Sequence, residues 1–234
     1  ILNIGFVNIY PARPHGSHAA YLAHLVKIYG GNIFVLECKG SKSLCYSKLI
    51  RKPKLEFLEC LKCQVGGLNQ YNIFKSHVTQ ITNIQSEKLT HNEMDEMLIG
   101  STGFIHREEN QIKWRTGTKL KNDREKLIVN FRNTFHSAVD WIESNNIKYV
   151  ILFNGRMDML RAVMEACKRT STNFITHERA FMGHGLHIVP NDNCLSLKER
   201  IRLTSKYDSN PLTERQAILA GKEIAKRFLR KNNL

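Results

Sequence analysis

Three short polar clusters hold the residues best suited to chemistry. His177-Glu178-Arg179 sets an imidazole beside a carboxylate. Glu178 or His177 could take a proton from a hydroxyl nucleophile. Asn154-Gly155-Arg156 ends in a guanidinium, whose planar fork matches phosphate or carboxylate, and Arg179 offers the same donors. The structural alternative is an ion pair of Glu178 with Arg156 or Arg179 that locks the loop. His15-Gly16-Ser17-His18 is a polar turn at the start of a helical pattern. It could bind a sugar or phosphate, or be a tight turn whose histidines face water. A fourth group is Cys38-x6-Cys45-x14-Cys60-x2-Cys63. Four thiolates ending in a C-x2-C pair suit tetrahedral zinc, and a site closed by four thiolates is structural, not catalytic. The alternative is four reduced thiols or a redox pair. His184 and His187 stand three apart without a helical pattern behind them.

Alternating strands and helices must position these clusters. Tyr149–Phe153 is a short apolar run, as in a parallel strand buried on both faces. Asn154-Gly155 breaks it. Leu160, Val163, Met164 and Cys167 then fall at i, i+3, i+4 and i+7, one face of a helix. Asn173–Thr176 begins the next strand, and His177-Glu178-Arg179 follows at its end. This is a βαβ unit, and ligands bind at the carboxyl ends of such strands. Residues 2–9 read as a first strand. A helix burying Leu22, Leu25, Val26 and Tyr29 follows and stops at Gly30-Gly31. Ile33–Glu37 is the second strand. Residues 38–70 are less regular, and 71–82 fit a strand or an irregular segment. Thr90-His91-Asn92-Glu93 is a capping box that opens a helix to about Ile99. Residues 100–121 read as loop, with a hairpin around Ile112–Arg115. Asp123 to Ser144 is a long helix with Leu127, Phe131, Phe135 and Ile142 on its core face. After Arg179 the chain reads as loop to Asn193. A short basic helix at Leu195–Leu203 follows, then a last helix over 211–230, capped by Ser209-Asn210-Pro211. The pattern argues for an α/β, Rossmann-like fold, with a mostly parallel sheet flanked by helices.

The 234 residues carry a net charge of +14. That charge attracts phosphates, anionic lipid, acidic glycans or nucleic acid without choosing among them. Basic residues are dense over Lys39–Lys62 and Lys198–Lys231, but neither stretch has the interleaved aromatics of a single-strand-binding platform. Specific nucleic-acid recognition is therefore not expected. No apolar run reaches the roughly 20 residues of a bilayer span. Six cysteines in a domain of this size fit a reducing, cytoplasmic setting. No G-x-G-x-x-G, P-loop, H-E-x-x-H or D-x-D motif is present.

Over residues 153–179 the sequence resembles the bacterial capsule and surface-polysaccharide biosynthesis proteins, glycosyltransferases with two Rossmann-like domains in the GT-B arrangement. Asn154-Gly155-Arg156, the alanine-bearing helix and Glu178-Arg179 carry the resemblance, with Cys60-x2-Cys63 after the second strand. It implies a single GT-B lobe. Residues 1–208 would be the acceptor-side domain, with a cysteine-containing insert at about 38–66. Residues 209–234 would lead toward a second, donor-binding domain. It further implies sugar transfer from a nucleotide sugar to a growing surface polysaccharide or lipid-linked glycan. The alternative is a glycan- or nucleotide-binding scaffold without chemistry. Glu178 and His177 would be catalytic. His15, Gly16, Ser17, His18, Asn154, Gly155, Arg156 and Arg179 would bind substrate. No cofactor would be required for catalysis, and a structural zinc would sit on Cys38, Cys45, Cys60 and Cys63. The expected partners are nucleotide sugar, glycan acceptor and an anionic membrane surface, with the protein peripheral at the inner membrane face.

Overall fold

The computed structural model describes residues 1–10, 15–38, 40, 44–51, 55–72, 77–82, 91–107, 118–180 and 185–229. The strands are β1 (Asn3–Asn8), β2 (Asn32–Cys38), β3 (His77–Ile81), β4 (Tyr149–Phe153), β5 (Asn173–Arg179) and β6 (Leu186–Pro190). The helices are α1 (His15–Ile28), α2 (Tyr46–Arg51), α3 (Glu56–Asn72), α4 (His91–His106), α5 (Thr118–Ser144), α6 (Asp158–Arg169), α7 (Leu197–Tyr207) and α8 (Glu214–Phe228).

The strands form one six-stranded sheet in the order β3-β2-β1-β4-β5-β6. Every pair is parallel except β5–β6, which is antiparallel. The chain therefore winds outward from β1 in one direction and from β4 in the other. The crevice between the carboxyl ends of β1 and β4 is the switch point where such sheets place ligands. The α/β, mostly parallel reading holds.

Alternation along β1 sorts the core into two faces. Phe6 packs with Ala19, Ala23, Ile33, Val35 and Ile151 under α1. Val7 packs with Leu36, Trp141, Leu152, Leu160 and Val163 under α5 and α6. Leu98, Leu127, Phe131 and Ala162 then fasten α4 to the outer side of those two helices. Gly5 permits the closest approach. A Cβ there would strike the Trp141 ring, so glycine lets that indole approach β1.

Several local expectations change. α1 buries Gly16, Ala19 and Ala23, with Leu22, Leu25 and Val26 only half-buried and Tyr29 at 87% exposure. Leu22 and Val26 still pack against the core beside those small residues. Residues 46–51 and 56–72 are helical, so Cys60 and Cys63 stand on a helix rather than in a loop. α4 runs on to His106 and α5 starts at Thr118. β5 continues through Arg179, so His177, Glu178 and Arg179 lie in the strand and not after it. Leu186–Pro190 pairs with it as an edge strand where loop was expected. The expected hairpin at 112–115 and His184 lie outside the described residues.

Candidate functional site

The carboxyl ends of β4 and β5 meet the first turn of α1 at a cluster of three imidazoles and one carboxylate. β4 ends at Phe153, in register with His177 of β5. The chain then turns through Asn154 at φ 20° and Gly155 at φ 74°. A Cβ on Gly155 would collide with the Met164 sulfur, and its φ lies where glycine alone is unstrained. The turn is tied to β5 twice. The Asn154 backbone N–H donates to the His177 carbonyl at 3.0 Å, and its side-chain amide donates to Glu178 Oε2 at 2.9 Å. Asn154 Oδ1 in turn accepts from the Arg156 N–H at 3.0 Å. The Arg179 N–H fixes the other carboxylate oxygen, donating to Glu178 Oε1 at 2.9 Å.

That oxygen faces His15, the first residue of α1, whose Nδ1 lies 3.5 Å away. At that separation the ring faces the carboxylate without a formed hydrogen bond, for Nδ1 of His15 has no hydrogen-bond partner. The His15 ring rests on Phe153, centroids 3.8 Å apart. His18, one turn on, lies 6.3 Å from His15 and 6.5 Å from His177. His177 is 1% exposed, and its Nδ1 is buried without a partner. Burial, with His15 and His18 nearby, pushes its pKa down to about 4. Burial also lowers the pKa of His15. Glu178 opposes that shift, whereas His18 and Arg179 reinforce it. Both rings are therefore neutral at pH 7. With Nδ1 of His15 turned to the carboxylate, the tautomer carrying its proton there leaves Nε2 as a lone-pair base.

Not every expected residue joins this cluster. Gly16 is buried in the first turn of α1, and Ser17 is exposed. Arg156 leans on α4 instead, with its guanidinium over the Phe104 ring at 5.4 Å. There it lines an open cleft with Gly100, Gly103, Phe104 and Arg107. The four cysteines do converge. Cys38, Cys45, Cys60 and Cys63 surround a cavity of about 30 Å³ together with Tyr10 and Met159. None of them forms a disulfide; Cys60 Sγ donates to the Gly40 carbonyl at 3.2 Å, and Cys38 Sγ accepts the Gly40 N–H at 3.4 Å. Among the described residues no group of three or more His, Cys, Asp or Glu side chains is placed to hold a metal ion. The zinc expected on the four thiols gains no support from this placement, in which the Cys38 and Cys60 sulfurs bond backbone groups of Gly40.

One buried constellation escaped the sequence reading. Asp158 opens α6 at 1% exposure. Its Oδ1 accepts from the Tyr10 hydroxyl at 3.2 Å and from Ser101 Oγ at 3.3 Å, and Oδ2 has no partner. Burial raises its pKa to about 6. The Asp158 N–H donates to Ser101 Oγ at 2.6 Å. A residue on α4 thus satisfies an open N–H in the first turn of α6, a turn that its own N-cap, Met157, leaves without a side-chain acceptor. The signal was an acid in the first turn of a helix after a strand, which the helix dipole favours. Its partners Tyr10 and Ser101 come from distant segments that the sequence does not link.

No protein-family model matches this chain, and no curated protein is significantly similar to it. Among solved structures, the zinc-inhibited form of the teicoplanin deacetylase Orf2 is similar over 76% of this chain and 67% of that one, at 7% identity and a TM-score of 0.43. A deacetylase–teicoplanin complex is similar over 76% and 70%, at 8% identity and a TM-score of 0.41. These findings correct the expected kinship. The similar structures are deacetylases, and no family model stands behind the resemblance to capsule-polysaccharide glycosyltransferases. The glycosyltransferase, GT-B lobe and sugar-transfer expectations are withdrawn. At such identities and TM-scores the likeness transfers no activity to this chain.

Proposed function

We propose that the chain is a hydrolase of acyl esters or amides, with His15 as general base toward water. The observation that carries this is the His15–Glu178 pair, a neutral imidazole with a carboxylate 3.5 Å from Nδ1, at the mouth of the parallel sheet. Water placed at Nε2 gives its proton to the ring as it attacks the acyl carbon. The imidazolium that forms is offset by Glu178, which Asn154 and the Arg179 N–H hold in place. Negative charge on the acyl oxygen is favoured by the dipole at the N-terminal end of α1 and by the positive charge of Arg179 near His15. Collapse of the tetrahedral species expels the alcohol or amine, which takes the proton back from Nε2. His177 is buried beside this pair, where it is not placed to meet water or substrate. Phe153 fixes the plane of the His15 ring from the other side.

The test is turnover of a chromogenic acetyl ester by the wild type and by His15→Gln, Glu178→Gln and His24→Gln. His24 is exposed on the same helix and controls for nonspecific imidazole catalysis. Loss of the base should cost about 10²–10⁴-fold in kcat. Glu178→Gln should lower kcat with little change in KM. Equal rates for the wild type, His15→Gln and His24→Gln would remove His15 from the role.

A further inference from the structure

We infer that α8 is an interfacial anchor that lays its apolar face on an anionic bilayer surface. Its N-terminus is a closed capping box. The Thr213 N–H donates to Gln216 Oε1 at 2.9 Å, and the Gln216 N–H donates to Thr213 Oγ1 at 3.3 Å. The helix is therefore terminated by its own residues, with no help from the α/β body. Along it Ala217, Gly221, Ile224 and Phe228 recur at helical spacing, with Ile218 and Ala225 on the same side. That face is open, with Ile218 50%, Ile224 44% and Phe228 84% exposed. On the helical wheel Arg215, Lys222 and Lys226 follow one border of the apolar stripe and do not interrupt it. Lys226 pairs with Glu223 at 2.7 Å. α7 shows the same arrangement, with Leu197 and Ile201 one turn apart and exposed, flanked by Lys198 and Arg200.

An apolar stripe bordered by cations along its length fits a planar surface of acyl chains under anionic headgroups. A protein partner would need an acidic rail of matching length, whereas a bilayer supplies its negative charge everywhere. The charge of +14 on the chain adds to the same attraction. Among the described residues no helix is long and apolar enough to cross a membrane, so the contact of α8 is with the surface. This inference stands apart from the hydrolase proposal, because it uses none of those residues.

The experiment is co-sedimentation of the chain with vesicles of phosphatidylcholine alone and of phosphatidylcholine with phosphatidylserine, at low and high salt. Binding should require phosphatidylserine and weaken with salt. Ile218→Asp with Phe228→Asp should abolish it while leaving the unfolding midpoint unchanged, since both side chains are exposed. Arg215→Gln and Lys222→Gln should each weaken it about fivefold. Failure to bind phosphatidylserine vesicles would overturn the inference, as would unchanged binding by the aspartate variant. So would a dimer in size-exclusion with light scattering that the aspartate variant dissolves, for that would put a second copy on the face.

Discussion

At the scale of single residues, His15 is set by neighbours that pull in opposite directions. Burial, His18 and Arg179 lower its pKa, and Glu178 raises it. Removing one neighbour at a time should therefore move the titration in opposite senses. In an NMR titration of the His15 ring, Glu178→Gln should shift the midpoint down and Arg179→Gln should shift it up. A common direction for both would mean that they do not face the ring as described. Part of this was legible beforehand. Glu178, His177 and the 15–18 turn all carry chemistry-bearing side chains, and each marks the end of a strand or the start of a helix. The division of labour was not legible. Burial decides it: His177 is 1% exposed, while His15 is half-buried and can meet a substrate.

Between elements, two local devices hold the site still, and each can be broken singly. Ser101 on α4 accepts the Asp158 N–H and so caps α6. Ser101→Ala should cost about 1 kcal/mol of unfolding free energy, the usual value of a lost cap, read from denaturant midpoints. Gly155 holds the β4–α6 turn at φ 74° against Met164. Gly155→Ala should cost about 2 kcal/mol or more from backbone strain and the clash, and should reduce turnover by displacing Asn154 from Glu178. Continuous apolar runs and helical spacing made β1, β4, α5 and α6 readable from sequence alone. β6 was hidden because it is five residues long, follows Gly185, ends on Pro190 and sits at an edge where only Val189 is buried. α1 was read in part, for Leu22 and Val26 do pack against the core, but Ala19 and Ala23 are the residues fully buried there and Tyr29 is exposed. The segment holding Cys60 and Cys63 looked irregular because its helix has a weakly apolar face, with Phe57, Leu58 and Leu61 exposed.

On the scale of the whole molecule, topology assembles the site. β4 lies beside β1 across the switch point, so α1, which follows β1, reaches the end of β4 and its neighbour β5. Sequence patterns placed each polar cluster at a strand end, but strand order alone brought them together. The fold also carries two buried titrating groups with opposite effects on stability. The folded pKa of His177 is about 4, below the ordinary histidine value of 6.5. It contributes stability above pH 6.5 that is lost as pH falls toward 4, roughly 3 kcal/mol in full. Asp158 has its folded pKa raised from 3.8 to about 6. Its contribution is present below pH 3.8 and is lost as pH rises through 6. The two oppose each other over nearly the same window, so the wild type should show a shallow dependence there. Asp158→Asn should lose stability more steeply between pH 6.5 and 4, and His177→Gln should reverse the slope. Equal slopes in all three proteins, measured by urea unfolding at each pH, would contradict this pairing.

The pH–rate profile of acetyl-ester hydrolysis, recorded for wild type and His15→Gln, bears most directly on the proposed activity. A base held neutral by burial predicts kcat/KM that rises with pH and reaches half its plateau below pH 6.5, and predicts that this limb vanishes in His15→Gln. A profile with the same limb and height in both proteins would contradict a hydrolase built on His15 and Glu178.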